Sequence, residues 1–287
     1  MQLFPIKTPL IKRKDDLVYV LIKSMKKARI KPKNGDILVV SSKVVALSEG
    51  RILNYKNVKP SEKATSLAKR YDLEPGFVEL VLQEADKVFG GVKHAILTLK
   101  NNILIANAGV DRSNAPENHA ILWPESPSLS ANNIRKKFKK RLNVNIGVII
   151  SDSHCSPLRT GTTGFALATS GFDAVIDERG NQDLFGKKMR ITQRAVADGL
   201  ASAAVVIMGE TDEKIPAVLI RDTPVKLTNQ TSKSSTFFPP DECLFSSIYN
   251  ERVKNKAVNR RLFWKVDDRQ VIPSYKKPIE FFFTSIF

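Results

Sequence analysis

Apolar positions set the elements of this chain before any chemistry is considered. Leu17, Val20, Leu21 and Met25 recur at steps of three and four after Asp15-Asp16, which predicts a capped amphipathic helix ending near residue 27. Pro5 and Pro9 keep the preceding residues extended. After the Asn34-Gly35 turn, residues 36–46 read as a buried strand with a polar centre, Ser41-Ser42-Lys43. Pro60-Ser61-Glu62 opens a helix to about residue 71. Glu74-Pro75-Gly76 opens a second over residues 77–88, with Phe77, Val81, Ala85 and Val88 along one face. Residues 95–100 and 103–107 predict paired strands around the permissive Asn101-Asn102 turn.

In the second half, Trp123-Pro124-Glu125-Ser126-Pro127 is a connector, and Ser130 starts a basic helix. There Ile134 and Phe138 share one face while the charges of Arg135 to Arg141 stand in solvent. Residues 146–150 form a near-continuous apolar run, expected as a strand buried on both faces. That run breaks at Ser151-Asp152-Ser153 and passes into a loop holding Pro157, Arg159, Gly161 and Gly164. A turn-rich stretch, 178–186, precedes a long alanine-rich helix from Thr192 to about residue 207, with Gly209 as its C-cap. Residues 216–221 are a final buried strand. Residues 227–240 read as a polar loop, and the basic tail 251–287 ends in Phe281-Phe282-Phe283, packed in this reading against a partner subunit. Helices and strands do not alternate as in a doubly wound sheet, so the expected class is α+β, with mixed or antiparallel sheets and flanking helices. The expected organisation is a domain over 1–225, with room for two subdomains, and a basic extension over 226–287.

Bulk composition narrows the function classes. A hydrophobic fraction of 42% and a charged fraction of 26% in 287 residues suit a soluble protein with a sizeable core. Two distant cysteines, Cys155 and Cys243, argue against a disulfide framework and suit a reducing cytoplasm. No apolar run reaches the roughly 20 residues of a membrane span, and the N-terminus lacks the apolar core of a signal peptide. The net charge of +17 fits a nucleic-acid binder, a protein that attracts a small polyanionic substrate, or a surface decorated with lysine. With neither zinc-finger spacing nor an aromatic-basic ribonucleoprotein motif, nucleic acid is the minority reading.

Chemistry concentrates at strand ends. Asp152 follows one apolar run; Asp111 follows another, in Asn107-Ala108-Gly109-Val110-Asp111-Arg112-Ser113-Asn114. Such carboxylates either close Asx-type turns or share a divalent cation whose shell substrate phosphates complete. Ser42 and Lys43, inside the strand read for 36–46, either contact a ligand or bond a neighbouring strand. With Ser153 and Glu210, the two aspartates form a set of hard oxygen ligands at element ends, the chemistry of metal-bound phosphate. There is no Gly-rich phosphate loop and no dinucleotide fingerprint. His94, His119 and His154 lack helical ligand spacing, which disfavours zinc. Asp152, His154 and Cys155 lie too close in sequence for a cysteine-hydrolase triad, whose members come from distant segments.

An ordered set of segments resembles the coenzyme F-420-0:L-glutamate ligase (gamma-glutamyl ligase) family. It comprises Pro9-Leu10-Ile11-Lys12, Gly35 to Val45 with Glu49-Gly50-Arg51, Asn107 to Asn114, Gly147 to Asp152, Gly164 to Gly171, Asp183-Leu184-Phe185-Gly186, Val196-Ala197-Asp198, Met208-Gly209-Glu210, and Ile215 to Arg221. The resemblance implies the gamma-glutamyl ligase fold, an intertwined homodimer, and a GTP-dependent ligase that joins L-glutamate to the deazaflavin coenzyme F-420 precursor through an acyl phosphate. It implies two divalent sites for Mn2+ or Mg2+, with K+ as a candidate further ion. One site would use Asp111 and Asp152, the other Ser153 and Glu210. Nucleotide contacts would come from Thr8, Pro9, Leu10, Ile11, Ser42, Lys43, Asn114 and from Met208, Gly209, Glu210, Thr211, Asp212, Glu213, Lys214 and Ile215. Asp111, Asp152 and Arg159 would act in catalysis. The chain departs from the family pattern at Leu47, usually lysine, at Ser153, usually threonine, at Cys155-Ser156, usually Gly-Arg, and at Gly199, usually glutamate. A paralogue that ligates another carboxylate, or a binding module without catalysis, stays open beside the ligase.

Overall fold

The computed structural model describes residues 1–228, 237 and 242–246. Strand β1 (Gln2–Ile6) leads to helix α1 (Leu17–Lys27), whose N-cap Asp16 accepts the Tyr19 N–H at 3.1 Å. Strand β2 (Ile37–Ser41) is followed directly by α2 (Ser42–Glu49), which Gly50 ends in a left-handed cap. Next come β3 (Ile52–Asn54), α3 (Glu62–Tyr71) and α4 (Pro75–Glu84), then β4 (Lys87–Val92), β5 (Ala95–Lys100) and β6 (Ile103–Ala106). Strand β7 (His119–Ile121) and α5 (Pro127–Leu142) precede the long hairpin of β8 (Gly147–Cys155) and β9 (Thr162–Ser170). Two short strands, β10 (Ile176–Asp177) and β11 (Gln193–Arg194), precede α6 (Val196–Met208) and β12 (Ala217–Arg221).

The central sheet has the order β1-β12-β2-β8-β9. All its pairs are antiparallel except β2 with β8, which run parallel with Ser41 opposite Ser151. Alternate residues of β2 and β8 divide between two apolar layers, which explains their unbroken apolar runs. Leu38, Val40, Val148 and Ile150 meet α1 and α5 through Leu21, Met25, Ile134 and Phe138. Ile37, Val39 and Ile149 meet α6 through Leu200, Ala201 and Ala204. A third cluster joins α3 and α4 to the β4-β5-β6 sheet around Phe77, Val81 and Ile96. The architecture is mixed α+β, as the apolar pattern predicts. Met1–Phe237 form one compact unit that holds all of these elements. In the second unit, Phe238–Phe287, the described residues form a turn in which Ser246 N–H donates to the Cys243 carbonyl at 2.8 Å.

Five boundaries differ from the sequence reading. The basic helix expected from Ser130 starts at Pro127, inside the stretch read as a connector. The strand expected over 36–46 ends at Ser41, because Val45 and Ala46 are buried on a helix rather than alternating across a sheet. The helix expected over 77–88 starts at Pro75, whose missing N–H costs nothing at the first helical position. It stops at an extended Ala85, so Val88 belongs to β4, whose Gly90-Gly91 weakens the strand signal. The run over 146–150 does not break at Ser151: β8 continues past a bulge at Leu167 of β9 to Cys155, because β9 pairs with it from Asp152↔Phe165 to Cys155↔Thr162. The helix expected from Thr192 begins at Val196, since Gln193 and Arg194 pair with β10. The polar stretch beyond Thr228 and the phenylalanine-rich tail lie outside the described residues, apart from the few named above.

Candidate functional site

The parallel pair delivers its two C-terminal ends side by side, the position where open α/β-type sheets place ligands. At the end of β2 the chain turns into α2, so the first-turn N–H groups of α2 and its positive dipole end lie beside Ser41, Lys43 and Val44. At the end of β8, beyond the bulge that leaves Leu167 of β9 unpaired between Ile150↔Ala168 and Ser151↔Ala166, Ser151, Asp152 and Ser153 line the same cavity. This cavity, of about 240 Å3, is closed on the far side by Thr8 to Ile11 and by the loop from Gly209 to Pro216.

Asp111 reaches the cavity from a different part of the chain. Asn107 and Ala108 take left-handed backbone, held by Asn107 Oδ1 on the Ile96 N–H (2.9 Å) and Thr98 Oγ1 on the Ala108 N–H (2.9 Å). Asp111 then pairs backbone to backbone with Ile121 at 2.9 and 2.8 Å. Its carboxylate accepts the Ser113 N–H at 2.7 Å and the Ser113 hydroxyl at 2.8 Å, an Asx-type turn. The turn and the ligand reading are therefore not exclusive. Lys43 Nζ lies 2.7 Å from Asp111 Oδ2 and donates to Ser113 Oγ at 2.6 Å. Burial raises the Asp111 carboxyl, but Lys43 and the Ser113 donors outweigh it and hold the group below the usual carboxylate range.

Asp152 is the opposite case. Burial pushes its carboxyl up to about 6, the neighbouring charge of Asp111 adds to the rise, and the Ser153 N–H (2.8 Å) and Trp123 indole N–H only partly offset it. Asp111 and Asp152 thus line one cavity, where Lys43 pairs with Asp111 and its charge also draws Asp152 down. Carboxylate oxygens are the hard donors a divalent cation takes, so Asp111 and Asp152 fit such an ion. Among the described residues no three Asp, Glu, His or Cys side chains gather tightly enough to hold a metal by themselves.

The loop over the cavity is tied to both sides. Thr8 N–H donates to the Lys214 carbonyl (2.9 Å), and Asn114 Nδ2 donates to the Thr211 carbonyl (3.0 Å). Glu213 is spent on the loop, accepting the Thr211 N–H and hydroxyl at 2.9 and 3.0 Å. The structure therefore gathers Thr8, Pro9, Leu10, Ile11, Lys43, Asp111, Asn114, Asp152, Ser153 and Met208 to Ile215 around one cavity. Ser42 is buried behind it at the first position of α2, and Arg159 is exposed in the turn between β8 and β9, outside the lining. Lining residues that the sequence reading did not name as site candidates are Ser41, Val44, Ser151, Val205 and Pro216. A helical reading of 42–49 would have found Val44, since Lys43, Val44 and Leu47 share one face. Of the departures from the family pattern, Leu47 and Ser153 enter the lining; a side chain at Gly199 would meet nothing within 4 Å, and Cys155 and Ser156 lie outside the lining.

The model of the F420-0:gamma-glutamyl ligase family matches residues 5–222, the segment that builds this cavity. The chain belongs to that family. It is similar to the coenzyme F420:L-glutamate ligase of Methanocaldococcus jannaschii, 41% identical over 68% of this chain and 79% of the relative. It is also similar to the enzymes of the same name from Methanococcus maripaludis strain C7 (36% identical; 81% of this chain, 92% of the relative) and Archaeoglobus fulgidus (36%; 77% and 87%). Membership makes the chain a ligase that forms an amide bond with an amino acid. No helix among the described residues is long and apolar enough to cross a membrane.

Proposed function

We propose that this ligase joins L-glutamate to the carboxylate of the deazaflavin coenzyme F420 precursor, with GTP as co-substrate and Mn2+ or Mg2+ bound at Asp111 and Asp152. The convergence of these two carboxylates with Lys43 and the α2 N-terminus in one cavity carries the reading. The acceptor carboxylate oxygen attacks the γ-phosphorus, and the bond to the β-phosphate oxygen breaks to release GDP. The glutamate amine then attacks the acyl carbon, losing a proton as phosphate departs and the amide forms. A divalent ion there supplies charge neutralisation for the phosphoryl group. Lys43 and the α2 N–H groups hold the phosphates. Ser153 and Glu210 are assigned to a second metal, K+ is a candidate further ion, and the tied loop from Met208 to Ile215 borders the nucleotide. Arg159 would reach the phosphates only after movement of its exposed turn.

We assign a homodimer in a reducing, cytoplasmic setting. The segment between β10 and β11 leaves Leu184 100%, Phe185 87% and Ile191 87% exposed, an apolar surface a second copy would cover. Incubation with GTP, Mn2+, L-glutamate and the deazaflavin precursor should add one or more glutamyl masses to the precursor. Neither product nor GTP hydrolysis under those conditions would overturn the enzyme reading. Leu47 in the cavity wall favours one alternative, a member that ligates an amino acid to another carboxylate. That outcome would appear as GTP turnover with a different acceptor and none with the deazaflavin.

A further inference from the structure

Trp123 lies outside the lining of the cavity, yet several independent contacts converge on it. It is 2% exposed, and its indole N–H donates to Asp152 Oδ2 while the Ser153 N–H occupies Oδ1. Each carboxylate oxygen thus has one fixed donor and keeps a lone pair for a ligand.

The indole is itself clamped. On one side Gly109 (φ +71°) lies so close that a Cβ there would come within 2.2 Å of the ring. Lys100 Nζ stands 5.0 Å from the ring centroid, and Phe165 packs at 6.4 Å. The Trp123 carbonyl accepts Arg51 Nε at 3.1 Å; Arg51 Nη2 pairs with Glu84 Oε1 at 2.7 Å, and Glu84 Oε2 pairs closely with Lys100. A closed circuit, Arg51–Glu84–Lys100, therefore grips Trp123 by its backbone and by its ring face. Packing alone would not require that circuit, and an indole donor aimed at a carboxylate is the outer-shell arrangement that orients metal ligands.

We propose that Trp123 is a positioning residue, its indole N–H setting the orientation of the Asp152 carboxylate for a divalent cation, with Arg51, Glu84 and Lys100 fixing the indole. The inference rests on the metal reading above and extends it to residues outside the cavity. Three full-length variants test it by Mn2+ titration, with free Mn2+ read from its paramagnetic resonance signal. Trp123→Phe should weaken Mn2+ binding by about 10–100-fold, the usual effect of losing an outer-shell partner. Benzothienylalanine at position 123, which fills the same space without an N–H, should weaken it equally, whatever happens to the fold of the Phe variant. Restoring the donor with 7-azatryptophan in a Trp264→Phe background should return affinity to within about threefold of the parent. In that background, bound Mn2+ should also quench the remaining Trp123 fluorescence. A folded Phe or benzothienyl variant that binds Mn2+ within twofold of the parent overturns the inference alone. A parent that binds no Mn2+ overturns the metal reading and this inference with it.

Discussion

The carboxyl of Asp152 is destabilised in its charged form, and that has a measurable sign. Burial and then the charge of Asp111 raise it from the ordinary 3.8 to about 6. Between those values the folded protein binds a proton that the unfolded chain releases. Its contribution to stability is therefore present at pH 4 and is lost as pH rises through 6. With metal chelated, Asp152→Asn should melt higher than the parent at pH 7.5, by roughly 1–3 kcal/mol, and the gap should close below pH 4. Mn2+ affinity should run the other way, rising through pH 6 as the ligand deprotonates. The same Asn variant should show no detectable ligation by product mass. An active Asp152→Asn enzyme, or one whose stability gain is independent of pH, contradicts the assignment. Residues of this kind were legible in the sequence, because a carboxylate ending an apolar run is visible without a structure. Trp123 was not, because nothing in Trp123-Pro124 says which oxygen a buried indole N–H will meet.

At the level of elements, the sequence reading placed α1 and most of α5 by apolar steps of three and four, α3 by its Pro60-Ser61-Glu62 start, most of α6 by its alanines, and β5 and β6 by the Asn101-Asn102 turn. It failed at junctions decided by tertiary pairing. The β8 extension exists because β9 runs alongside it, and β9 begins in Thr160-Gly161-Thr162-Thr163-Gly164, whose glycines and threonines read locally as a loop. Gly164 belongs there for a packing reason: a Cβ would come within 2.7 Å of both the Ala201 carbonyl and Val205 on α6. Gly164→Ala should consequently cost about 1–3 kcal/mol by overpacking, read as a lower denaturant midpoint. Gly109→Ala combines left-handed backbone with collision against Trp123, and should cost at least as much while also weakening Mn2+ binding. A Gly164 variant with parental stability would show that α6 can retreat from the hairpin. The β2–α2 junction escaped for a related reason: Val44 and Val45 favour strands by propensity, and burial of Val45 and Ala46 against the helical layer overrides it.

For the whole molecule, the exposed Leu184-Phe185 pair gives the proposed dimer a direct test. Leu184→Asp with Phe185→Asp should shift the sedimentation coefficient from dimer to monomer without unfolding the described core, whose clusters include neither residue. A double variant that stays dimeric removes this surface from the interface. The cavity has a further consequence that follows from the order in which its walls are made. Thr8 is synthesised before Asp111 and Asp152, and the Lys214 carbonyl that holds the Thr8 N–H follows it by some two hundred residues. Among the described residues strand β1 pairs with β12 alone, so within them it has no sheet partner until Arg221 has emerged from the ribosome. A nascent chain shorter than that carries Asp111 and Asp152 but lacks the β1–β12 pairing and the 209–216 loop that enclose the cavity. Ligand can therefore rescue slow or damaged folding only after synthesis of the central sheet is complete, and added GTP should protect full-length chains from protease while leaving ribosome-stalled shorter ones as sensitive as before.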